Sequence, residues 1–473
     1  MQDHDSGSGR RLWRGGEPQR VGQAVDGPRL RGKHRCDRAC RFRHIVSAVT
    51  AIASGLSHVY PLGTRVNGRG HLELAGCDAV ELAREFGTPV YVVVEDDLRR
   101  RARAFVDAMA ARHDDFDILF ASKAFPCTAV YRLLAQEGLA CDVASGGELA
   151  LALGGGFDPR RTYLHGNAKS IVELREALQA GVGHVVLDSM GELDRLAGVA
   201  AEIGRRQEVL IRVTPDVAGE THQAISTGQA DSKFGFSMAQ ARDAVARLSD
   251  HPRLELVGLH FHIGSQLFSL EPFRAAVRAI ATLGDFPVYN LGGGLGAAYT
   301  ADQHPPSAER YVETIVEAAH AELGPGKRLL LEPGRALVAN STVTLYTVET
   351  IKRNVSTWVA VDGGMSDNLR PMMYGARYEA LIADRPLAIG DVPCHLAGKH
   401  CESGDVIVRD VELADPAPGD VIVTPVTGAY GYAMANNYNG VPRPPVVFAS
   451  EGSARLVVRR ETYADLMSRD VGS

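Results

Sequence analysis

The sequence has few cysteines, and those that it has are scattered. Seven occur in 473 residues, at positions 36, 40, 77, 127, 141, 394 and 401. Such a sparse, odd-numbered set excludes the dense disulfide framework of a small secreted protein, so we expect reduced thiols and a cytoplasmic protein. No second pair of Cys or His follows Cys36 and Cys40 at zinc-finger spacing, and we therefore expect no metal site.

Long hydrophobic runs and an excess of basic residues are also missing. The most apolar stretch near the N-terminus, residues 45–56, is far shorter than the roughly 20 residues that span a bilayer. We therefore expect no membrane association. The formal net charge of -6 argues against nucleic acid as a partner, because a mildly acidic chain repels phosphate backbones. The length suits two domains.

Residues 1–56 differ from the rest of the chain. They are rich in Arg and Gly and have no sustained hydrophobic period. Such a segment cannot bury enough apolar surface to offset the entropy lost on ordering, which predicts a disordered tail. Acidic residues such as Asp3, Asp5 and Glu17 count against an organellar transit peptide. A misassigned start codon would explain the segment equally well.

Between residues 99 and 340, short β-branched runs alternate with segments of helical periodicity, such as residues 171–180 and 191–203. This alternation predicts an α/β fold with a (β/α)8 barrel of the TIM type. The eight predicted strands lie within residues 117–123, 140–145, 162–167, 184–189, 208–215, 255–265, 287–294 and 328–335.

The pattern changes after residue 340. Five β-branched runs are separated by Gly, Pro and Asp turns with little helical periodicity, which predicts an all-β C-terminal domain over residues 341–473. The run at residues 89–94 precedes the barrel, and we expect it to join this domain. Residues 57–98 would then form the N-terminal part of the β domain.

A barrel of this type carries functional groups at the C-terminal ends of its strands. Lys123 ends the first predicted strand, within FASKAFPC. Desolvation of a lysine favours the free amine, which is the nucleophile that forms a Schiff base. A rim lysine held in a salt bridge is the more common outcome for an isolated lysine of this kind.

Three further strand ends carry groups that suit a pyridine-containing cofactor. Glu332 could keep a pyridine nitrogen protonated, so that the ring accepts an electron pair, or it could merely pair with an arginine. His262 could stack on the ring or be a satisfied core histidine. Ser265 and the glycines 292–294 could bind phosphate, although both also suit an ordinary turn.

Nine short motifs follow one another along the chain: FASKAF, HGNAKS, TGQADSKFG, HFHIGSQ, NLGGGLG, LEPGR, VDGGMSDNLRPMMYGARY, GKHCESGD and TGAYGYAMANNYN. In order and spacing they resemble the motifs of diaminopimelate decarboxylases, which are alanine-racemase-like, fold-type III pyridoxal enzymes. The resemblance runs from Val59 to Asp465. It implies pyridoxal 5'-phosphate as the cofactor and the conversion of meso-2,6-diaminopimelate to L-lysine and carbon dioxide.

The resemblance also implies a role for each matching residue. Lys123 would bind the cofactor covalently, His262 would stack on its ring and Glu332 would contact its pyridine nitrogen. The phosphate would be bound by Ser265, Gly292, Gly293, Gly294 and Tyr430. The substrate would be held by Arg335, Arg370, Tyr374, Glu402 and Tyr430, and Cys401 would donate a proton after decarboxylation.

In such enzymes the Cys-Glu loop reaches the active site of the partner subunit, so the resemblance implies a homodimer with shared active sites. Two departures from the family pattern stand out. Ala168 occupies a position where a second Asn is frequent, and residues 266–292 form a shorter segment than in many relatives, which predicts a truncated barrel helix.

Other functions stay open at this stage. Decarboxylases of ornithine, arginine or carboxynorspermidine would use the same cofactor, but ornithine and arginine have no distal carboxylate for Arg335 and Arg370 to bind. Arg370 could instead only brace the β domain. A non-catalytic pyridoxal-phosphate carrier with a similar barrel would usually lack the β domain that contains Cys401, Glu402 and Tyr430.

Overall fold

The computed structural model describes residues 55–217 and 232–472. All but the last two residues of the predicted tail, including Cys36 and Cys40, lie outside the described residues. The described chain begins with a small antiparallel sheet, followed by two helices and a buried strand. These elements are β1 (Arg65–Val66), β2 (Leu72–Leu74), β3 (Cys77–Asp78), α1 (Ala79–Phe86), β4 (Val90–Val94) and α2 (Glu95–Ala110).

Strands and helices then alternate along the chain. They are β5 (Phe116–Ala121), α3 (Thr128–Gln136), β6 (Ala140–Val143), α4 (Gly146–Gly155), β7 (Thr162–Leu164), α5 (Ile171–Ala180), β8 (His184–Leu187), α6 (Met190–Ile203), β9 (Gln207–Thr214), β10 (Phe236–Ser237), α7 (Met238–Leu248), β11 (Leu254–Phe261), α8 (Glu271–Ala281), β12 (Val288–Asn290), α9 (Ala308–Leu323), β13 (Arg328–Leu331) and α10 (Arg335–Val338).

Eight of these strands pair in parallel in the order β5, β6, β7, β8, β9, β11, β12 and β13, and β13 pairs back with β5. The closed sheet confirms the predicted (β/α)8 barrel. Helix α2, which precedes β5, packs against both α9 and α3 and so completes the ring of helices around the barrel.

Serine side chains begin most of the barrel helices. The hydroxyls of Ser145, Ser189 and Ser307 each accept a hydrogen bond from a backbone N–H in the first turn of the helix that follows. Ser170 and Ser237 do the same and form full capping boxes. Because each cap satisfies an otherwise unpaired N–H, these serines fix where the chain turns from loop to helix.

Each predicted barrel run contains a strand, but the strands end earlier than predicted. β13 ends at Leu331, for example, so Glu332 and Arg335 lie in the connection after it. Within residues 266–292, helix α8 spans eleven residues, Glu271–Ala281, and six residues connect it to β12. That this barrel helix is truncated relative to the family stays a prediction.

The chain after the barrel forms a second sheet with short helices. Its elements are β14 (Thr342–Arg353), β15 (Thr357–Val361), α11 (Arg370–Tyr374), β16 (Leu381–Ile382), β17 (Val392–Ala397), β18 (Val406–Leu413), β19 (Val421–Pro425), α12 (Gly431–Met434), β20 (Val446–Ser450), β21 (Ser453–Val458) and α13 (Tyr463–Met467). Strand β4 lies between β14 and β20 in this sheet, as predicted. The domain boundaries themselves stay a prediction.

The interior of the barrel has an apolar layer toward its N-terminal end. Seven strands each contribute one buried side chain to this layer: Leu119, Ala140, Tyr163, Val186, Leu210, Val288 and Leu330. Residues two apart on a strand face the same side. The next inward positions in six of these strands are therefore Asp142, His165, Asp188, Arg212, Asn290 and Glu332, which form a buried polar layer above the apolar one.

Among residues 55–217 and 232–472, every helix is too short or too polar to cross a bilayer.

Gly258 tests the packing between neighbouring barrel strands. An alanine Cβ at this position would lie 2.0 Å from the carbonyl oxygen of Val288 on β12, so we expect Gly258→Ala to lower the free energy of unfolding by about 1–3 kcal/mol. Gly198→Ala is the matched control, because this exposed glycine of α6 has no atom within 4 Å of the added Cβ. Thermal unfolding should show a lower melting temperature for Gly258→Ala only.

Candidate active site

A cavity of about 480 Å³ opens at the C-terminal end of the barrel strands, directly above the polar layer. A recess of about 50 Å³ adjoins it and shares several of its lining residues. Most of the residues singled out in the sequence lie here. The cavity or its recess is lined by Lys123, His262, Ser265, Gly294, Glu332, Arg335, Arg370, Tyr374 and Tyr430.

Glu332 is the most completely bonded group of the site. Asn290 Nδ2 donates to its Oε1 at 2.6 Å, His165 Nε2 lies 2.9 Å from the same oxygen, and His260 Nε2 is 3.2 Å from Oε2. Burial alone would raise the pKa of Glu332, but the two histidines outweigh it, and the pKa lies well below its usual value. The side chain is therefore a carboxylate, and Oε2 keeps a lone pair for one more donor.

The same three groups raise the question of a metal ion. The ligand atoms of His165, His260 and Glu332 lie within 4.8 Å of one another. The amide nitrogen of Asn290, which cannot ligate a metal, also donates to the Glu332 carboxylate. We therefore assign these neighbours to orienting the carboxylate, and the absence of a metal stays an expectation.

Lys123 lies in a single 3-10 turn, Ser122–Ala124, immediately after β5. The backbone N–H of Ser122 donates to Asp142 Oδ1 at 3.3 Å and ties this turn to β6. Burial, with a contribution from the charge of Glu332, raises the pKa of Asp142 well above its usual value, although Lys123 opposes the shift. Lys123 thus faces a cavity with one ionised carboxylate and one carboxyl group that favours its neutral form.

His262 accepts a hydrogen bond at Nδ1 from the backbone N–H of Gly293, at 3.3 Å. Burial, together with the positive charges of Lys123 and Arg212, lowers the pKa of His262 well below its usual value. The ring is therefore neutral, and its Nε2 carries the hydrogen. A neutral, positioned ring at the cavity wall suits stacking against a planar cofactor.

The three consecutive glycines have different roles. The N–H of Gly292 donates to Asn290 Oδ1 at 3.0 Å, and that of Gly293 is used by His262. A Cβ at either position would lie within 2.2 Å of a carbonyl oxygen on a neighbouring strand end, so close packing alone requires glycine there. Within the described part of the chain, only Gly294 of the three lines the cavity or its recess.

Arg335 and Ser265 meet in the recess. Arg335 Nη2 donates to Ser265 Oγ at 2.9 Å, and the guanidinium carbon lies 4.9 Å from the centre of the Tyr430 ring. Tyr430 has a left-handed backbone, with φ of 67°, and its N–H donates to the carbonyl of Ala124. Because the recess places a guanidinium beside a serine hydroxyl, its chemistry suits an anion.

Arg370 and Tyr374 come from helix α11, in the C-terminal part of the chain, and line the same cavity. Arg370 is buried, and its Nη1 donates to the hydroxyl of Tyr378 at 2.7 Å. Its side chain thus forms part of the cavity wall, and its role in substrate binding stays a prediction.

Cys401 and Glu402 are exposed, and neither lines the cavity formed by the described residues of their own chain. Their loop is nevertheless well anchored. Asp405 accepts hydrogen bonds from the backbone N–H groups of Met365 and His400 and lies 2.7 Å from His400 Nδ1. The structure thus presents Cys401 and Glu402 on a fixed surface loop rather than in the site.

Four polar residues that line the cavity or contact Glu332 were missed in the sequence. Asp142, Arg212, His260 and Asn290 had no assigned role, although each is a polar residue within a buried strand of the barrel. That pattern was a usable signal, because a charged group on such a strand needs a partner or a ligand.

Part of the motif TGQADSKFG, residues 227–231, lies outside the described residues. Ala168 is exposed and does not line the cavity.

Comparison with known proteins identifies relatives over most of the chain. Residues 95–339 match the family model described as pyridoxal-dependent decarboxylase, pyridoxal binding domain. A protein of Mycobacterium tuberculosis named diaminopimelate decarboxylase is 45% identical over 440 residues, which is 88% of this chain and 98% of that protein. A protein of the same name from Bacillus subtilis is 43% identical over 425 residues, or 86% and 97% of the two chains.

Solved structures agree with these relatives. The crystal structure of diaminopimelate decarboxylase from M. jannaschii in complex with L-lysine superposes with a TM-score of 0.81 at 34% identity. The match covers 87% of this chain and 98% of that one.

The buried histidines should make the stability depend on pH. Burial lowers the pKa of His260 to about 4, although Glu332 opposes this shift. Between pH 6.5 and about 4 the unfolded chain therefore binds a proton that the folded His260 does not. The free energy of unfolding should fall as the pH is lowered through this window, by about 1.4 kcal/mol per pH unit for one histidine.

Denaturant unfolding between pH 7 and pH 4.5 measures this slope. His260→Gln should reduce the slope of unfolding free energy against pH by about 1.4 kcal/mol per pH unit, the contribution of one proton. His304→Gln, at an exposed histidine, should leave the slope unchanged. Equal slopes for the wild type and His260→Gln would contradict the assignment.

Proposed function

This chain belongs to the diaminopimelate decarboxylase family, and we propose on that basis that it converts meso-2,6-diaminopimelate to L-lysine and carbon dioxide, the last step of lysine biosynthesis. One observation carries the proposal. One cavity of about 480 Å³ is lined by a lysine at a strand end, an ionised buried glutamate, and two buried arginines that have no carboxylate partner within residues 55–217 and 232–472.

The residues of this cavity fit pyridoxal 5'-phosphate. The family model that matches the barrel is pyridoxal-dependent, and the recess offers Ser265, the backbone of Gly294, and Tyr430 to a phosphate group. When bound, the cofactor supplies a cationic ring that accepts the electron pair left by the departing carboxylate.

The protein groups around the ring have separate tasks in this proposal. Lys123 supplies the amine that binds the cofactor covalently, and His262 supports one face of the ring. Glu332 would accept a hydrogen bond from the pyridine N–H through its remaining lone pair and so keep that nitrogen protonated. The hydrogen bond from Asn290 and the close contact with His260 support this role, because they hold the carboxylate ionised and in one orientation.

The substrate has a second amino-acid group at the end that does not react. Arg335, Arg370 and Tyr374 would bind its carboxylate, since a guanidinium matches a carboxylate through paired hydrogen bonds. Glu402 would bind the distal amino group. The L-lysine complex of the M. jannaschii relative supports this arrangement, because L-lysine retains the distal amino-acid group of the substrate.

We further propose a homodimer in which each active site receives the loop of the other subunit. The exposure of Cys401 and Glu402 supports this, since their anchored loop lies outside the cavity of its own chain. The partner subunit's Cys401 would then return a proton to the carbon that has lost carbon dioxide, and the partner subunit's Glu402 would complete the substrate site.

Other substrates are less well supported. Ornithine and arginine would leave Arg335 and Arg370 buried without a counter-charge, which costs several kcal/mol for a desolvated cation. A comparison of kcat/KM values distinguishes carboxynorspermidine from meso-diaminopimelate as the substrate. A non-catalytic carrier would not need the second sheet that contributes Arg370 and Tyr430. We also propose a cytoplasmic location, consistent with the free thiols of the described cysteines.

Purified protein supplied with pyridoxal phosphate should release L-lysine from meso-diaminopimelate. Its kcat/KM should exceed that for ornithine, arginine or carboxynorspermidine by about 10⁴, as expected when an analogue leaves buried polar groups unpaired. Borohydride reduction followed by peptide mapping should locate pyridoxal on Lys123, and Lys123→Ala should lose both labelling and turnover. Bound cofactor without turnover of meso-diaminopimelate would refute the substrate assignment.

Mixing two inactive variants tests the shared active site. Lys123→Ala and Cys401→Ala subunits, unfolded together and refolded, should recover about a quarter of wild-type activity, because half of the dimers then contain one intact site of two. Cys401→Ala alone should keep the cofactor absorbance and turn over much more slowly. Recovery is not expected if each chain uses its own Cys401, and Cys77→Ala, at a buried thiol, serves as the control.

A further inference from the structure

Two buried cations of the barrel, Lys169 and Arg212, lie near carboxylates, and Arg335 and Arg370 differ from them in this respect. Lys169 Nζ lies 2.8 Å from Glu192, and Arg212 lies 4.0 Å from Asp188. Arg335 and Arg370 are 5% and 6% exposed, yet neither forms an ion pair with a carboxylate of the described residues. The Nε atom of each also lacks a hydrogen-bond partner there. Since buried charges are normally paired, this arrangement requires a reason.

Two tyrosines take the place of the missing carboxylates. The hydroxyl of Tyr299 accepts a hydrogen bond from Arg335 Nη1 at 2.6 Å, and that of Tyr378 accepts one from Arg370 Nη1 at 2.7 Å. The guanidinium of Arg370 also lies 4.4 Å from the centre of the Tyr299 ring. The two rings meet edge to face, with centroids 5.2 Å apart and an interplanar angle of 84°.

A tyrosine partner has a different electrostatic effect from a carboxylate. A carboxylate would pair with two N–H groups of an arginine and cancel its charge. A phenol accepts through one oxygen and stays neutral, and burial raises the pKa of Tyr378 to about 12 even though Arg370 opposes the shift. The Tyr378 hydroxyl thus fixes the direction of the Arg370 guanidinium without cancelling its charge. Arg335 donates from Nη1 to Tyr299 and from Nη2 to Ser265, and because both partners are hydroxyl groups rather than carboxylates its charge also stays uncancelled.

We propose that Tyr299 and Tyr378 are positioning residues that give the site its specificity for a substrate with a distal carboxylate. Neither tyrosine lines the cavity, so both act through the arginines that do. The inference rests on the proposed function, because it assigns the distal carboxylate as the anion that the paired arginines receive.

The inference explains why one tyrosine contacts both arginines. Tyr299 follows the glycine turn after β12, whereas Arg370 and Tyr378 come from the region of α11. Through its hydroxyl and its ring, Tyr299 fixes the spacing between one arginine from the barrel and one from the second sheet region. Binding an anion to both requires that spacing to be set before the ligand arrives.

L-Lysine and cadaverine are suitable probes, because they share one diamine chain and differ only by the carboxylate. Dissociation constants are measured on the wild-type, Tyr299→Phe and Tyr378→Phe holoenzymes at saturating pyridoxal phosphate. Each variant should bind L-lysine about tenfold more weakly, as for the loss of one hydrogen bond to a charged group. Cadaverine affinity should change less than about twofold.

Tyr311→Phe is the matched control. Tyr311 is a fully buried tyrosine of α9 whose hydroxyl has no hydrogen-bond partner in the described part of the chain, and its removal should change neither affinity. With meso-diaminopimelate, Tyr299→Phe should raise KM by about tenfold and leave kcat within about threefold, because the lost interaction positions the non-reacting end. Melting temperature and cofactor absorbance establish that each variant is folded and loaded.

Equal weakening of both ligands would overturn the inference, since it would show a general structural role. Unchanged L-lysine affinity in both variants would also overturn it. Failure of the proposed function is distinguishable: a wild-type enzyme that prefers L-lysine to cadaverine but does not decarboxylate meso-diaminopimelate would refute the reaction. The selective loss of L-lysine affinity in the variants would still support the role of the tyrosines.

Discussion

Buried charge in the mouth of a closed barrel is the constraint on which the whole site depends. The inward positions of the strands form an apolar layer, and the positions two residues further along the chain form a buried polar layer. Each charged group there must be matched by another group or by a ligand. Glu332 is matched by three protein neighbours, whereas Arg335 and Arg370 have hydroxyl partners and no carboxylate partner among the described residues.

This difference divides the site into two functional halves. Around Glu332 the protein itself satisfies nearly all hydrogen-bonding capacity, so the carboxylate is held ready to contact one more donor. Around the two arginines the protein leaves charge uncompensated, so an incoming anion gains more than it would at a neutralised site. In the proposed function, the first half would stabilise a cationic ring and the second would select a substrate that has a second carboxylate.

The second sheet completes the site and does not merely cover it. Arg370, Tyr374 and Tyr430 all belong to the chain after the barrel, and the backbone of Tyr430 is bonded to the turn that contains Lys123. Asp405 anchors the loop that contains Cys401 and Glu402. Its carboxylate lies between Gly364 and Gly398, and a side chain added at either glycine would collide with it. The position of the loop outside the cavity is what a site shared between two subunits requires.

Local sequence determined the barrel, its eight strands in order and the strand ends where Lys123, His262 and Glu332 lie, because side-chain periodicity and strand-end chemistry are properties of neighbouring residues. It also predicted that residues 89–94 join the second sheet. The sequence could have indicated Asp142, Arg212 and Asn290 as well, since each interrupts a buried strand.

Only the tertiary structure decided which groups satisfy one another. That Asn290 and His260 orient Glu332, that the N–H of Gly293 is bonded to His262, and that Tyr299 joins two arginines all depend on residues distant in sequence. Barrel closure and the docking of the second sheet bring these residues together. Hydrogen bonding acts over about 3 Å, so the partners of a buried polar group are fixed by that approach and not by spacing along the chain.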